Sequence, residues 1–188
     1  MKASLQRMML VASAAFLMGS LAGRADAQID LAQSRLTATS KQMNVPVEGT
    51  FKKFSAQLSF DPAKPAAGTV QASVDMASYD LGDESYNDEV RDKEWFDAKT
   101  YPTATFVSSA IAPAGQDQFN VTGKLTLKGK SQTVVVPVKL STQGAAHAFD
   151  GAFTIKRLQF DIGTGEWKDT STVADDIVIK FHIVSAAK

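Results

Sequence analysis

The sequence contains no cysteine, and this absence excludes several kinds of chemistry. Without thiols the chain has no thiolate nucleophile, no cysteine-ligated metal and no disulfide on which its fold relies. Histidine is almost as scarce, since only His147 and His182 occur, whereas a metal site needs three or four convergent donors. The chain also lacks a Gly-x-Ser-x-Gly nucleophile elbow and a glycine motif for phosphate or dinucleotide binding. No catalytic, metal or nucleotide site is therefore expected.

An excess of charge of either sign is missing as well. The 20 basic residues equal the 20 acidic residues in number. Residues 1–27 hold three basic residues and one acidic residue, so the chain without them has a net charge of −2. Such a chain offers no electrostatic basis for binding nucleic acid or an anionic membrane surface.

Residues 1–27 have the pattern of a secretory signal peptide. A basic start precedes an apolar run from Met8 to Leu21, and Ala25-Asp26-Ala27 matches a cleavage site between small residues. The apolar run is too short for a membrane span. We therefore expect export, cleavage after Ala27 and a single domain over residues 28–188. An uncleaved N-terminal anchor helix is the alternative.

Most of the remaining sequence alternates between apolar and polar residues with a period of two, which is typical of half-buried strands. Turns rich in glycine and proline separate these segments, and no strand–helix repeat occurs. The pattern predicts an all-β fold of about eight antiparallel strands, either a sandwich or, as the long strands favour, a barrel. The predicted strands cover residues 34–41, 45–60, 70–76, 104–111, 119–127, 134–140, 149–155 and 177–183.

Two features of the strands favour the barrel. The alternation in the second strand slips by one residue at Lys52-Lys53, which predicts a β-bulge that bends the strand. Gly49, Gly123 and Gly151 occupy apolar-phase positions, where a barrel wall needs space or a sharp bend. A barrel of about eight strands is wide enough to hold one elongated apolar ligand.

The stretch from Asp88 to Phe106 predicts the one clear helix. Acidic residues from Asp83 onward suit a helix N-terminus, where the helix dipole favours negative charge. Trp95 and Phe96 place two large rings at the end of the helix, and Pro102 then turns the chain. Two interpretations stay open: a lid at the mouth of the barrel, or a crossover whose rings complete an ordinary core.

Arg91 and Arg157 are the charged residues most indicative of function. Arg157 follows Ile155 in the inward phase of its strand, so its guanidinium is expected inside the barrel or at its mouth. Because a buried arginine must be paired, this position predicts either an ion pair with a helix carboxylate or a polar anchor for the head group of a ligand. The sequence alone does not separate the two.

Six segments, in their order and spacing, resemble the YceI-like family. They are Met43–Phe51 (MNVPVEGTF), Phe60–Pro62 (FDP), Arg91–Asp97 (RDKEWFD), Tyr101–Phe106 (YPTATF), Val121–Gly129 (VTGKLTLKG) and Phe153–Arg157 (FTIKR). The resemblance extends over about residues 34–184. Within this family, the sequences of residues 42–49 and 165–171 resemble the branch that is often associated with cytochrome b561-type membrane proteins.

The resemblance implies a lipocalin-like antiparallel barrel of eight strands, with the helix near its mouth, in the bacterial periplasm. It implies that the interior binds a long isoprenoid lipid, either an isoprenoid quinone or a polyprenyl lipid, with no covalent cofactor and no catalytic or metal site. A redox-active quinone as cargo, a cytochrome b561-type membrane protein as partner and a homodimer are further implications.

The residues expected to line the ligand site lie in inward phases or on the predicted helix. They are Phe51, Phe54, Phe60, Met76, Val90, Trp95, Phe106, Leu125, Val136, Phe149 and Phe153, with Trp167 added from a loop whose register the pattern does not fix. Arg91 and Arg157 are the candidate polar anchors. Two rival classes stay open: an enzyme acting on a bound lipid or small molecule, and a structural or partner-binding module with a filled barrel.

Overall fold

The computed structural model describes residues 27–144 and 146–185, in which β-strands predominate. The strands are β1 (Ala27–Gln28), β2 (Arg35–Gln42), β3 (Val45–Phe51), β4 (Phe54–Ser59), β5 (Thr69–Asp75), β6 (Tyr79–Asp80), β7 (Thr103–Gly115), β8 (Gln118–Leu127), β9 (Lys130–Gln143), β10 (Ala146–Lys156) and β11 (Asp176–Val184). The α-helix is α1 (Glu84–Arg91), and short 3₁₀ helices cover Pro65–Ala67, Met76–Ser78, Arg157–Phe160 and Gly165–Lys168.

The predicted signal peptide lies outside the described residues, apart from Ala27 at the start of β1. Its cleavage therefore stays a prediction. In the part of the chain that the structure describes, no helix is long and apolar enough to cross a membrane.

The sheet curls so that its two ends come together, and two continuous stretches of chain each contribute a strand to both ends. All neighbouring strands are antiparallel, in the order β1-β4-β5-β7-β8-β9-β10-β11-β2-β3-β6. The order places β3 and β4 near opposite ends, although only Lys52 and Lys53 separate them along the chain. In the same way β5 and β6 lie at opposite ends and are joined by Met76–Ser78. These two interrupted strands close the sheet into a barrel.

Hydrogen bonds join the two interrupted strands to each other at the positions where each strand is interrupted. Lys52 N donates to Ser78 O at 3.1 Å, and Asp75 N donates to Lys53 O at 3.0 Å. Lys53 N donates to the Ser78 hydroxyl, also at 3.0 Å. If each interrupted strand is counted once, the barrel has the predicted eight long strands, with the two-residue β1 in addition.

The prediction of a β-bulge at Lys52-Lys53 is wrong, because the strand is interrupted there and continues as a second, separate strand. β3 pairs with β2 and β6, whereas β4 pairs with β5 and β1. The predicted change of phase is confirmed, since Phe51 of β3 and Phe54 of β4 both face the interior. A bulge would keep both halves in one ladder, but here each half joins a different end of the sheet.

The helix begins earlier and is much shorter than the sequence predicts. It follows Asp83, whose carboxylate accepts a hydrogen bond at 2.8 Å from a backbone N–H of the first turn. The helix ends at Arg91, because Asp92 takes an extended backbone conformation and successive turns follow. Trp95 and Phe96 therefore lie on turns and not at the end of a helix. The acidic residues from Asp83 onward thus mark the N-terminus of the helix, whereas the predicted stretch Asp88–Phe106 begins too late and is too long.

Glycines in the barrel wall make room for aromatic rings. The ring of Tyr79 lies against Gly49 and that of Phe106 lies against Gly123, so closely that a β-carbon on either glycine would overlap the ring. Gly151 has the same relationship to a ring on the neighbouring strand. The expectation that these positions need space is confirmed, and the rings lie along the wall instead of filling the centre.

We predict that Gly123→Ala lowers the free energy of unfolding by about 1–3 kcal/mol, because the added methyl group overpacks against the Phe106 ring and against Val107 O, which would lie 2.7 Å from it. Unfolding in denaturant measures this loss. The double variant Gly123→Ala/Phe106→Leu should be less destabilised than the sum of the two single changes. Additive losses would show that the ring is not what limits the space at Gly123.

Candidate ligand-binding cavity

Inward-facing side chains of the barrel surround a large apolar cavity. Along β8, for example, Phe119, Val121 and Leu125 are buried, while Asn120 and Lys124 between them are exposed. The cavity has a volume of about 590 Å³, within the range of about 300–1,000 Å³ that is typical of small-molecule sites. All the long strands contribute to its lining. This open interior argues against the filled-barrel alternative.

All twelve apolar residues predicted for the ligand site line this cavity. They are Phe51, Phe54, Phe60, Met76, Val90, Trp95, Phe106, Leu125, Val136, Phe149, Phe153 and Trp167. The structure thus brings together residues from most of the strands, from α1 and from two loops. Their contact with a ligand stays a prediction.

Sequence reasoning missed several large rings in the lining, among them Tyr79, Phe96, Phe119 and Phe181. Phe119 and Phe181 were in the inward phase of their predicted strands, so the alternation could have identified them. Tyr79 follows the 3₁₀ helix Met76–Ser78, which interrupts the alternation, so its strand carried no such signal.

The hydroxyl of Tyr79 is used within the barrel wall. It donates a hydrogen bond to Ala38 O at 2.9 Å. Burial raises the pKa of Tyr79 to about 12. The phenol therefore stays neutral over the physiological pH range and adds no charge to the cavity.

One end of the cavity is closed by aromatic side chains. Phe60 contacts Phe119 edge to face, with ring centroids 4.9 Å apart, and Phe149 at 6.0 Å. The turn at Gly68 covers this end, since a β-carbon there would lie 3.0 Å from the Phe60 ring and 3.1 Å from the Ile111 side chain. This closed end offers only apolar surface to a ligand.

The opposite end opens beside α1. Three lining residues at this end, Gln42, Tyr86 and Glu89, are exposed to solvent. Val90, on the inner side of the helix, is buried and belongs to the cavity wall. The prediction of a helix near the barrel mouth is confirmed, and the helix forms one side of the opening without closing it.

Polar contacts hold α1 in this position. The buried Asn87 accepts a hydrogen bond from Leu81 N at 2.7 Å and donates one to Asp80 at 3.0 Å. Asp80 also pairs with Lys52. Hydrogen bonds from Lys52 and Asn87 hold the pKa of Asp80 well below its usual range. The first half of the helix is thereby tied to β6 in the barrel wall.

Arg91 lies outside the cavity lining, and its position argues against its predicted role as a polar anchor. Its Nε donates to Ala77 O at 3.1 Å, and its Nη1 contacts Glu84 at 2.7 Å and Asp88 at 3.1 Å. The hydrogen bond with Glu84 raises the pKa of Arg91. Arg91 therefore ties the end of the helix to the 3₁₀ helix Met76–Ser78.

Arg157 is completely buried, as predicted, but it begins a 3₁₀ helix and is not part of the strand. Its N–H groups donate to five backbone carbonyls, those of Ala174, Ile162, Gly163, Trp167 and Val173, at 2.7–3.1 Å. A guanidinium has five N–H groups, so all of them are used. The prediction of an ion pair with a helix carboxylate is wrong. The anchor prediction is also opposed, since no N–H is left for a head group.

Arg157 forms a layer with two indole rings beneath the opening. Its Cζ lies 6.0 Å from the centroid of the Trp95 ring, and the Trp95 and Trp167 ring centroids are 5.4 Å apart. Burial lowers the pKa of Arg157, but an arginine stays charged at neutral pH. Among the described residues, Trp95 Nε1 is a buried side-chain nitrogen that has no hydrogen-bond partner. This layer forms part of the cavity wall.

We predict that Arg157→Met lowers the free energy of unfolding by more than about 3 kcal/mol, because several buried carbonyls lose their donor. Arg157→Lys should retain part of the stability, since an ammonium group supplies three N–H donors. Thermal unfolding of both variants measures the difference. A methionine variant as stable as the wild type would contradict the structural role of Arg157.

Among the described residues, the charged side chains that line the cavity are Glu89 and Arg157. Among residues 27–144 and 146–185, no group of three His, Asp or Glu side chains is placed to hold a metal ion. His182 contacts Asp150 at 2.6 Å. These two residues alternate with the lining residues Phe149 and Ile183, so they lie on the outer face of the barrel. What the cavity offers a ligand is apolar surface.

An antiparallel barrel with one closed end and an apolar interior belongs to the class of barrels whose interior is left open for a ligand. Residues 28–185 match the sequence model of the YceI-like domain. The chain therefore belongs to the YceI-like family.

Curated relatives match part of the chain. A UPF0312 protein of Azotobacter vinelandii is 32% identical over 120 residues, which are 61% of this chain and 62% of the relative. A UPF0312 protein of Vibrio cholerae is 37% identical over 90 residues, which are 48% of each chain. The matched part thus spans less than two thirds of the length of these relatives.

Solved structures match over more of the chain. Burkholderia cenocepacia BcnA is 64% identical with a TM-score of 0.83, covering 84% of this chain and 99% of that one. The Campylobacter jejuni YCEI protein is 25% identical with a TM-score of 0.69, covering 76% and 86%. A polyisoprenoid binding domain from Saccharophagus degradans, implicated in plant cell wall breakdown, is 19% identical with a TM-score of 0.71, covering 86% and 98%. These structures share the fold of this chain.

Proposed function

We propose that this protein is a carrier that holds one long isoprenoid lipid inside its barrel. The observation that carries the proposal is the apolar cavity that extends from the aromatic end at Phe60 to the opening at Tyr86. The polyisoprenoid binding domain of Saccharophagus degradans has a similar fold. That likeness supports the proposal at the level of the fold, while the cavity supports it at the level of the site.

The dimensions of the cavity suit a long chain better than a compact molecule. Along β8 the lining residues run from Phe119 to Leu127, which is about 27 Å of strand at about 3.4 Å per residue, or about 20 Å along the axis of a barrel whose strands tilt by about 40°. Burial of hydrocarbon contributes about 0.8 kcal/mol per CH₂ group removed from water. A chain that lies along the cavity accumulates this contribution over its whole length.

The two ends of the cavity differ, and this difference orients the ligand. The closed end presents the rings of Phe60, Phe119 and Phe149, which suit the end of a hydrocarbon tail. The open end presents the polar side chains of Gln42 and Glu89 to solvent. The polar head group is therefore expected at the opening, where water satisfies its hydrogen bonds.

Charges in the lining favour a neutral head group. Glu89 at the opening is acidic and repels a phosphate or pyrophosphate group. Arg157, the buried cation of the lining, donates all its N–H groups to backbone carbonyls. A quinone is neutral and needs neither a cationic partner nor a metal. We therefore extend the proposal to an isoprenoid quinone as the cargo.

Three further parts of the proposal rest on sequence patterns. A periplasmic location follows from the signal-peptide pattern in residues 1–27. A cytochrome b561-type membrane protein as the quinone partner, and a homodimer, follow from the family resemblance. A redox partner in the membrane agrees with a cargo that carries electrons.

The first prediction of this proposal concerns the cargo itself. Protein purified from the periplasm of a producing bacterium is extracted with organic solvent, and the extract is analysed by mass spectrometry. We expect an isoprenoid quinone at close to one molecule per chain. An extract without isoprenoid, from protein that also fails to take up isoprenoid quinone in vitro, would count against the carrier function.

The second prediction concerns the cavity. Phe153→Lys should weaken the binding of an isoprenoid quinone by at least about 100-fold, because the ligand would have to desolvate a charge inside an apolar cavity. Val135→Lys is the matched control, since Val135 is 54% exposed and lies outside the lining. Quenching of tryptophan fluorescence by the quinone measures both affinities. A folded Phe153→Lys variant that binds like the control would show that the ligand lies elsewhere.

A further inference from the structure

The three most exposed large apolar side chains among the described residues all lie at the open end of the barrel. Met43, Tyr86 and Val45 have exposed fractions of 69%, 64% and 63%. Met43 and Val45 belong to the hairpin that joins β2 to β3, and Tyr86 belongs to α1. We call these three side chains the lip.

The lip continues the apolar lining of the cavity. Val45 and Val47 lie on the same face of β3, and Val47 lines the cavity. Tyr86 is part of the lining itself. On the other side of the hairpin, Met43 N donates to Thr172 O at 2.8 Å, so the turn is fixed next to the cavity wall. An apolar molecule that leaves the cavity therefore meets the lip before it meets bulk water.

The backbone at the turn indicates that Met43 does not serve the stability of the hairpin. Met43 and Asn44 form a two-residue turn in which both residues have positive φ, at 48° and 65°. This is a type I′ turn, which favours asparagine or glycine because these residues tolerate positive φ. Asn44 meets that preference and Met43 does not. An exposed apolar side chain kept on a strained backbone points to a role for the side chain itself.

Charges beside the lip select the kind of surface that it contacts. α1 carries Glu84, Asp88 and Glu89 against Arg91 as its basic residue. Near the turn, the hairpin strands add one charge of each sign, Lys41 and Glu48, so the charge beside the lip is net negative. A bilayer rich in anionic lipid repels such a helix, whereas a bilayer with neutral head groups does not. The lip is itself uncharged, so its insertion among neutral head groups desolvates no charge.

We propose that the lip docks on a lipid bilayer with neutral head groups, so that the isoprenoid passes directly between the bilayer and the cavity. This inference rests on the proposed function, which supplies the cargo. Apolar surface then extends from the bilayer, across Met43, Val45 and Tyr86, into the barrel. The hydrocarbon tail stays in contact with apolar surface throughout the transfer and does not cross bulk water.

Matched variants remove two of the three apolar side chains of the lip and preserve the backbone. Met43→Asn supplies a residue that the turn prefers, and Val45→Thr keeps the β-branched shape that suits a strand. Val135→Thr makes the same change at a 54% exposed position on the barrel wall and serves as the control. Each protein is loaded with a fluorescently labelled polyprenol and mixed with phosphatidylcholine vesicles. The transfer rate is measured against vesicle concentration, and the affinity for the probe is measured without vesicles.

We expect the transfer rate of the wild type to rise in proportion to the vesicle concentration. The double variant Met43→Asn/Val45→Thr should transfer the probe at least about fivefold more slowly, at unchanged affinity, because it loses the apolar contact with the bilayer. Val135→Thr should behave like the wild type. Partial replacement of phosphatidylcholine by phosphatidylglycerol should slow transfer at low ionic strength, and about 1 M salt should remove this slowing.

Several results would overturn the proposal. A transfer rate that does not depend on vesicle concentration would show that the probe leaves through water and not through contact of the lip with the bilayer. Equal slowing by Val135→Thr would show that the position of the lip is irrelevant. A wild-type protein that binds neither the labelled polyprenol nor an isoprenoid quinone at equilibrium would overturn the proposed function itself, and the proposal for the lip with it. The equilibrium titration separates that failure from the others.

Discussion

The structure depends on the way in which residues 45–59 join the two ends of the sheet. The break at Lys52 and Lys53 lets one stretch of chain pair with β2 at one end of the sheet and with β5 at the other. Because Phe51 and Phe54 flank the break and both face inward, the apolar face stays continuous across it. An unbroken, straight strand would leave an open sheet with exposed edges. Closure instead produces an interior surface that is shielded from water.

Closure alone does not produce a cavity, since a barrel of about eight strands is just narrow enough for side chains to fill. The glycines in the wall change this outcome. Where Gly49 and Gly123 lack a side chain, the rings of Tyr79 and Phe106 lie against the backbone and leave the centre of the barrel open. The aromatic residues therefore stabilise the wall and preserve the volume at the same time. A core of the same composition with residues larger than glycine at these positions would push the rings inward.

The sequence predicted the strands and the apolar lining well, because every inward phase of a closed sheet faces one interior. It failed where the structure depends on loops. The turns that carry Trp95 are held by hydrogen bonds from Gly163 N and Thr164 N to Glu94 O, and these partners are remote in sequence. The acceptors of Arg157 are likewise loop carbonyls. Periodicity carries no information about such contacts, so a buried arginine was predicted but its partners were not.

The hydrogen bonds of Arg157 also indicate where a ligand enters the cavity. Its five hydrogen bonds connect the backbone at both ends of the loop that carries Trp167, on one side of the opening. Entry is then left to the gap between α1 and the β2–β3 hairpin, where Tyr86 and Glu89 are exposed. A ligand with its tail at the closed end presents its head group in this gap. When the opening faces a bilayer, this orientation places the polar head group of the ligand among the lipid head groups. The hydrocarbon tail then leaves the cavity along the apolar lip.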